Sequence, residues 1–222
     1  MALQYLDGPR IHIPYEGRNT EQMPRLLASG QEPMSVAHLA QQRLFVRGKG
    51  IPPEQHDEWW NNYFHNADMF LRHPDGRGKV VPYSAQVLDF LRKNLKPETK
   101  LVDYALPLSD GLYERMEGLE LTPTDIEKLH TRGYTPSEAK KSEVWKTLTG
   151  TQKRLDNYVD AVVAETGRSQ SLMNTYFGSV SKVPTGRLWH VSGRSCDSLA
   201  DGSLILTGGS GRQLAEDHLL RH

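Results

Sequence analysis

Glycine and proline interrupt this chain so often that no element can run far before something stops it. Nineteen glycines and thirteen prolines are spread over 222 residues and bracket most of the apolar runs. Proline lacks the amide that a helix interior or a central strand uses, and glycine costs chain entropy in either. Both therefore collect at element ends. This argues against a coiled coil and for short elements joined by many turns, in a chain long enough to build its own core.

Between the stops, the periodicity is mainly helical. Gly8, Pro9, Pro14, Gly17, Pro24, Gly30 and Pro33 break up residues 1–34. This part is expected to be an extended or partly disordered arm with a short edge strand at 10–13. Ser35 is a good N-cap for a helix carrying Val36, Leu39, Ala40 and Leu44, which Gly48 stops. Ser84 caps a second helix, with Val87, Leu88, Leu91 and Leu95 on one stripe. Thr122-Pro-Thr-Asp125 and Thr135-Pro-Ser-Glu138 repeat one start signal: a threonine cap, a proline in the first turn, and an acid three residues after the cap. Leu155, Tyr158, Val159, Val162 and Val163 mark an amphipathic helix that ends near Gly167. Short strands are expected at 79–83, 187–192 and 203–207, with 100–106 ambiguous between strand and helix.

The densest chemistry lies in residues 54–76, which hold Trp59 and Trp60, His56, His65 and His73, and five acids against Arg72. As one helix from 54 to 72 at about 100° per residue, the segment places Trp59, Trp60, Tyr63, Phe64, Ala67, Phe70 and Leu71 on a continuous apolar arc. His56 lies within that arc; His65 and His73 fall outside it. Metal ligands must converge on one point, and on a straight helix these three diverge. Core packing is the preferred reading of the segment. The metal alternative retains His65 and Asp68 as an i, i+3 pair, with His56 and His73 as further ligands. A kink at Asn61-Asn62, a pair with poor helix propensity, would reopen convergence.

Residues 128–154 hold seven bases against Glu138 and Glu143, although the whole chain carries a net charge of zero. Two short helices joined by a glycine turn in this region suggest a helix-turn-helix, with Lys140, Lys141, Lys146, Lys153 and Arg154 as candidate nucleic-acid contacts. The inner apolar face such a motif needs is thin, so a solvated basic face is the preferred reading. Gly208-Gly209-Ser210-Gly211 lacks the spacing of a phosphate cradle and reads as a flexible break before a short helix or tail. Cys196, between Arg194 and Asp197, could be reached by His190 or His130, but a lone cysteine beside a strand is read as packing. Catalytic residues stay unassigned.

A single cysteine forms no intramolecular disulfide and favours a reducing compartment. No apolar run approaches the roughly 18 residues of a membrane span, and the N-terminus lacks a signal pattern. A cytoplasmic location follows as the expectation.

The fold expected from these patterns is predominantly helical α+β. A helical body over 35–166 would carry a small antiparallel sheet from the C-terminal third (167–222), in one domain overall. The expected function is that of a non-enzymatic interaction or structural protein, with a protein partner or self-association, no membrane and no cofactor. A metal-assisted hydrolase-like activity of 54–76, with a divalent metal, is the first alternative. Nucleic-acid binding through 122–154 is the second.

Overall fold

A single sheet runs through the whole chain. The computed structural model describes residues 12–16, 18–130, 133–193, 198–202 and 212–216. The central strand is β3 (Phe64–Arg72), which pairs antiparallel with β8 (Thr185–Val191). On its other edge β3 meets two strands in succession. It pairs in parallel with β10 (Arg212–Glu216) at Phe64 and His65, then antiparallel with β4 (Gly78–Val81) from Met69 to Arg72. Outside β10 lies β1 (His12–Glu16), while β2 (Glu32–Pro33) pairs with the end of β10 on the same edge as β3, and outside β4 lies β6 (Leu119–Leu121). Beyond β8 come β5 (Leu106–Pro107) and β9 (Ala200–Gly202), and β9 pairs in parallel with β7 (Thr175–Phe177). Among the described residues these strands form one ten-stranded sheet.

The expected helical body with a small C-terminal antiparallel sheet is therefore overturned. Strands β3, β4 and β6 lie inside 35–166, parallel pairs occur, and β1 from the first residues pairs with β10 from the last. The expected arm contains a helix, α1 (Asn19–Ala28), and a strand, β1, that overlaps the expected 10–13 edge strand only at 12–13 and runs on through Pro14 to Glu16. The expected strand at 203–207, the glycine cluster at 208–211 with the tail after it, and Cys196 lie outside the described residues.

The largest error falls on 54–72. Helix α3 (Pro53–Asn61) ends where the Asn pair begins, and Asn62 is already extended (φ −93, ψ 159). Its side-chain amide turns back to donate to the Glu58 carbonyl at 2.8 Å, satisfying one of the acceptors a helix end leaves open. From Phe64 onward the chain is strand. The first eight of its nine residues are buried, because helices cover the sheet on both faces. A strand of that kind shows no alternation between apolar and polar residues, so the period that would betray it is missing.

The helices pack on the two faces according to the pleat. Phe64, Phe70, Trp189 and Val191 face α2 (Val36–Phe45), α8 (Glu143–Thr149) and α9 (Gln152–Thr166), where Leu39, Trp145, Leu148, Tyr158 and Val162 complete one core. Met69, Leu71 and Leu188 point the other way, to Met23 and Leu26 of α1, Val87 and Leu91 of α4 (Ala85–Asn94), and Tyr113 of α5 (Asp110–Arg115). Local signals hold where they were expected. Ser35 accepts from the His38 amide at 3.1 Å and Ser84 from Val87 at 3.3 Å. Both Thr-Pro repeats form capping boxes, on α6 (Pro123–Leu129) and α7 (Pro136–Ala139). Gly167 ends α9 in the left-handed conformation. No helix of the described residues is long and apolar enough to cross a membrane.

Candidate functional site

Strand register brings together a polar row that is not apparent along the sequence. His65 on β3 stands directly opposite His190 on β8, and His190 stands opposite Asp201 on β9. Directly opposed residues share a sheet face, so these three side chains lie side by side. The two imidazole centres are 5.8 Å apart. Tyr63, just before β3, stands edge-on to both rings, at 6.4 Å from His65 and 5.4 Å from His190. Asn19, at the start of α1, donates its side-chain amide to His65 Nδ1 at 3.2 Å. That bond places the proton of the neutral His65 ring on Nε2.

Burial sets the electrostatics of the row. It pushes the His65 imidazolium down to about 3, and the neighbouring His190 adds to the effect. His190 is lowered by burial too; Asp201 opposes the shift and Arg43 reinforces it. Both rings are therefore neutral near pH 7. Among the described residues His65 Nε2 and His190 Nδ1 have no hydrogen-bond partner, and both are shielded from water. Asp201 Oδ2 stays 4.0 Å from His190 Nδ1, too far for a hydrogen bond.

A buried cation fixes the surroundings. Arg43 of α2 is fully buried and donates to four neutral oxygens: Trp59 O (3.0 Å), Asn62 O (3.0 Å), the Tyr158 hydroxyl (2.8 Å) and Ser198 Oγ (3.0 Å). Its guanidinium also lies over the Trp60 and Phe64 rings. These bonds tie the turn into β3 to the segment leading into β9, so the two ends of the row are set by one side chain. Gly193 packs against the same turn, where an added Cβ would stand 2.6 Å from the Asn61 carbonyl oxygen.

No protein-family model and no curated protein matches this sequence. A solved structure described as "Accommodation of massive sequence variation in Nanoarchaeota by the C-type lectin fold" superposes with a TM-score of 0.71 over 95% of this chain and 99% of that one, at 11% identity. The shared architecture is the C-type lectin fold. This mixed α/β fold with its curled sheet is what stands in place of the expected helical body.

Within the C-type lectin fold, the four residues considered as metal ligands occupy separate environments. His56, on α3, meets Glu165 at 3.1 Å, and Glu165 also accepts from Arg47 at 3.0 Å. His73, beyond the end of β3, lies 2.9 Å from Asp75 and 3.2 Å from Asp110. Asp68 is buried and accepts from the Val36 amide (2.6 Å) and the Tyr83 amide (3.0 Å), joining the start of α2 to the segment after β4. Burial pushes its carboxyl up to about 6, while those backbone bonds pull it down. His65 and Asp68 are not helix neighbours as expected. They sit on a strand whose register shifts between His65 and Met69. Among the described residues no group of three or more His, Cys, Asp or Glu is placed to hold a metal ion.

The basic segment is also rearranged. Helix α7 spans only four residues, too short to serve as a recognition helix. Before it, His130 bridges to Thr175 and Tyr134 to Leu172. Lys140 pairs with Asp160 at 2.6 Å, Lys146 with Glu143 at 3.5 Å, and Arg154 donates to the Thr149 carbonyl. Lys141 and Lys153 are exposed. His130 Nδ1 accepts from the Phe177 amide at 3.2 Å.

Proposed function

We propose that this chain is a non-enzymatic binding protein that uses the C-type lectin fold to present the row of Tyr63, His65, His190 and Asp201 to a partner. One observation carries the reading: strand register sets His65, His190 and Asp201 side by side, and among the described residues His65 Nε2 and His190 Nδ1 are buried without a hydrogen-bond partner. Unpaired imidazole nitrogens on adjacent rings are groups that a bound partner can satisfy. Tyr63, His190 and Asp201 beside them are only half-buried, which leaves an approach from solvent. The similar structure is described as showing that this fold accommodates massive sequence variation. A framework that tolerates surface change suits recognition better than it suits a fixed catalytic geometry.

Panning a phage-displayed peptide library on the immobilised full chain tests the proposal. Enriched peptides should bind the wild type and lose affinity about tenfold or more on Tyr63→Ala or His190→Ala, as aromatic anchors at an interface do. No enrichment, or binders indifferent to both substitutions, overturns it.

A further inference from the structure

Away from the histidine row, we propose that the outer edge of β6 is a docking site for an extended peptide segment of another protein, one in which a lysine or arginine stands between two apolar residues. Strand β6 pairs with β4 on one edge, and among the described residues no strand pairs with the other. A cavity of about 500 Å³ lies beside it, lined by Leu119, Glu120 and Leu121 in succession. Successive strand residues point to opposite faces of a sheet. Here Leu119 and Leu121 pack into the core shared with α8 and α9, while Glu120 turns the other way to meet Lys79 Nζ at 2.7 Å. A cavity that touches all three therefore runs along the edge of the strand, and the opposite edge is taken by β4.

The far wall matches what an added strand would bring. Leu129 of α6, Tyr134 and Val144 of α8 stand across the cavity from β6. By the same alternation, the two apolar residues of the incoming segment enter on the face where Leu119 and Leu121 already point, and the residue between them lies on the face of Glu120. In strand addition of this kind, main-chain hydrogen bonds along the edge supply affinity and pockets for alternate side chains supply selectivity.

Charge selects the central residue. The carboxylates of Glu120, Asp125, Glu138 and Glu143 line the cavity against the ammonium groups of Lys128 and Lys141, which leaves the lining negative. Asp125 and Glu138 are held in place by the caps they complete, accepting from the Thr122 and Thr135 amides at 3.0 and 2.9 Å. Glu120 stands in the middle of the edge. Lys79, which meets it from the sheet, is buried and also donates to the Tyr113 and Met116 carbonyls, at 3.1 and 2.9 Å. The Glu120 side chain itself is 56% exposed, so it can accept from a second cation on the solvent side. A charge on an edge strand deters indiscriminate pairing, and a cation on the incoming strand turns that deterrent into a selecting contact.

Fluorescence anisotropy of labelled seven-residue peptides with the full chain tests this. Their centre is apolar–X–apolar between pairs of serines, with valine, leucine and phenylalanine in every combination at the apolar positions and lysine, alanine or glutamate as X. The best lysine peptide should bind saturably, and about fivefold or more tighter than its glutamate counterpart, as opposite rather than like charges across a strand pair require. Glu120→Gln should bring the two level. N-methylation of the peptide's backbone amides one at a time should abolish binding at alternate positions only, because a strand turns every second residue's amide toward a given neighbour. That series uses the wild-type protein alone and holds whatever Glu120→Gln does to the fold. No saturable binding by any lysine peptide, equal binding of lysine and glutamate peptides to the wild type, or a methylation series without alternation overturns the proposal. A dimer in light scattering with no peptide bound would put a second copy of the chain on this edge, and overturns it as well.

Discussion

His65 and Asp68 show how a single residue's role depends on what covers it. Both look like ligands in the sequence and both are buried, but burial moves them in opposite directions. His65 falls from an ordinary 6.5 to about 3, so on acidification the unfolded chain takes up this proton first. Its contribution to stability is present above 6.5 and is lost as the pH falls toward 3. Asp68 rises from 3.8 to about 6, so the folded chain takes up that proton first. Its contribution is present below 3.8 and is lost as the pH rises through 6. Between 3.8 and about 6 the two slopes oppose each other. Urea unfolding across this range should therefore show Asp68→Asn losing stability on acidification more steeply than the wild type, and His65→Gln less steeply. The sequence shows that these side chains carry chemistry. It does not show their surroundings, because the amides that bind Asp68 come from Val36 and Tyr83, far away in the chain.

Elements were legible where their signals are local. The two capping boxes were read from four-residue patterns and formed as read, since the cap and the amide it satisfies lie within one turn. Thr122→Ala and Thr135→Ala should each lower stability by about 0.5–2 kcal/mol. Chemical denaturation would measure that loss, with the midpoint shifting and the slope unchanged. Strand β3 was not legible, for the opposite reason. With helices against both faces it loses the alternation that marks a strand, and its aromatics happen to complete a helical arc begun by Trp59 and Trp60 in α3. The boundary between the two elements was marked only by Asn61-Asn62, the pair where a kink was considered.

The sheet makes the molecule one unit, because β10 lies between β1 on one side and β2 and β3 on the other. Deleting residues 1–17 should lower the thermal midpoint and turn β10 into an open edge that pairs with other chains. Light scattering after size exclusion should then show self-association that the full chain lacks at the same concentration. The short elements, the caps and the amphipathic α9 were determined by the sequence itself, since each depends on residues within a few positions of one another. Partnering and register were decided only in the tertiary structure. His65 and His190 become neighbours through a strand pairing between residues more than a hundred positions apart, and a shift of one residue would put either ring on the other face of the sheet. The residues of the row are plain in the sequence, but their convergence is a property of the sheet.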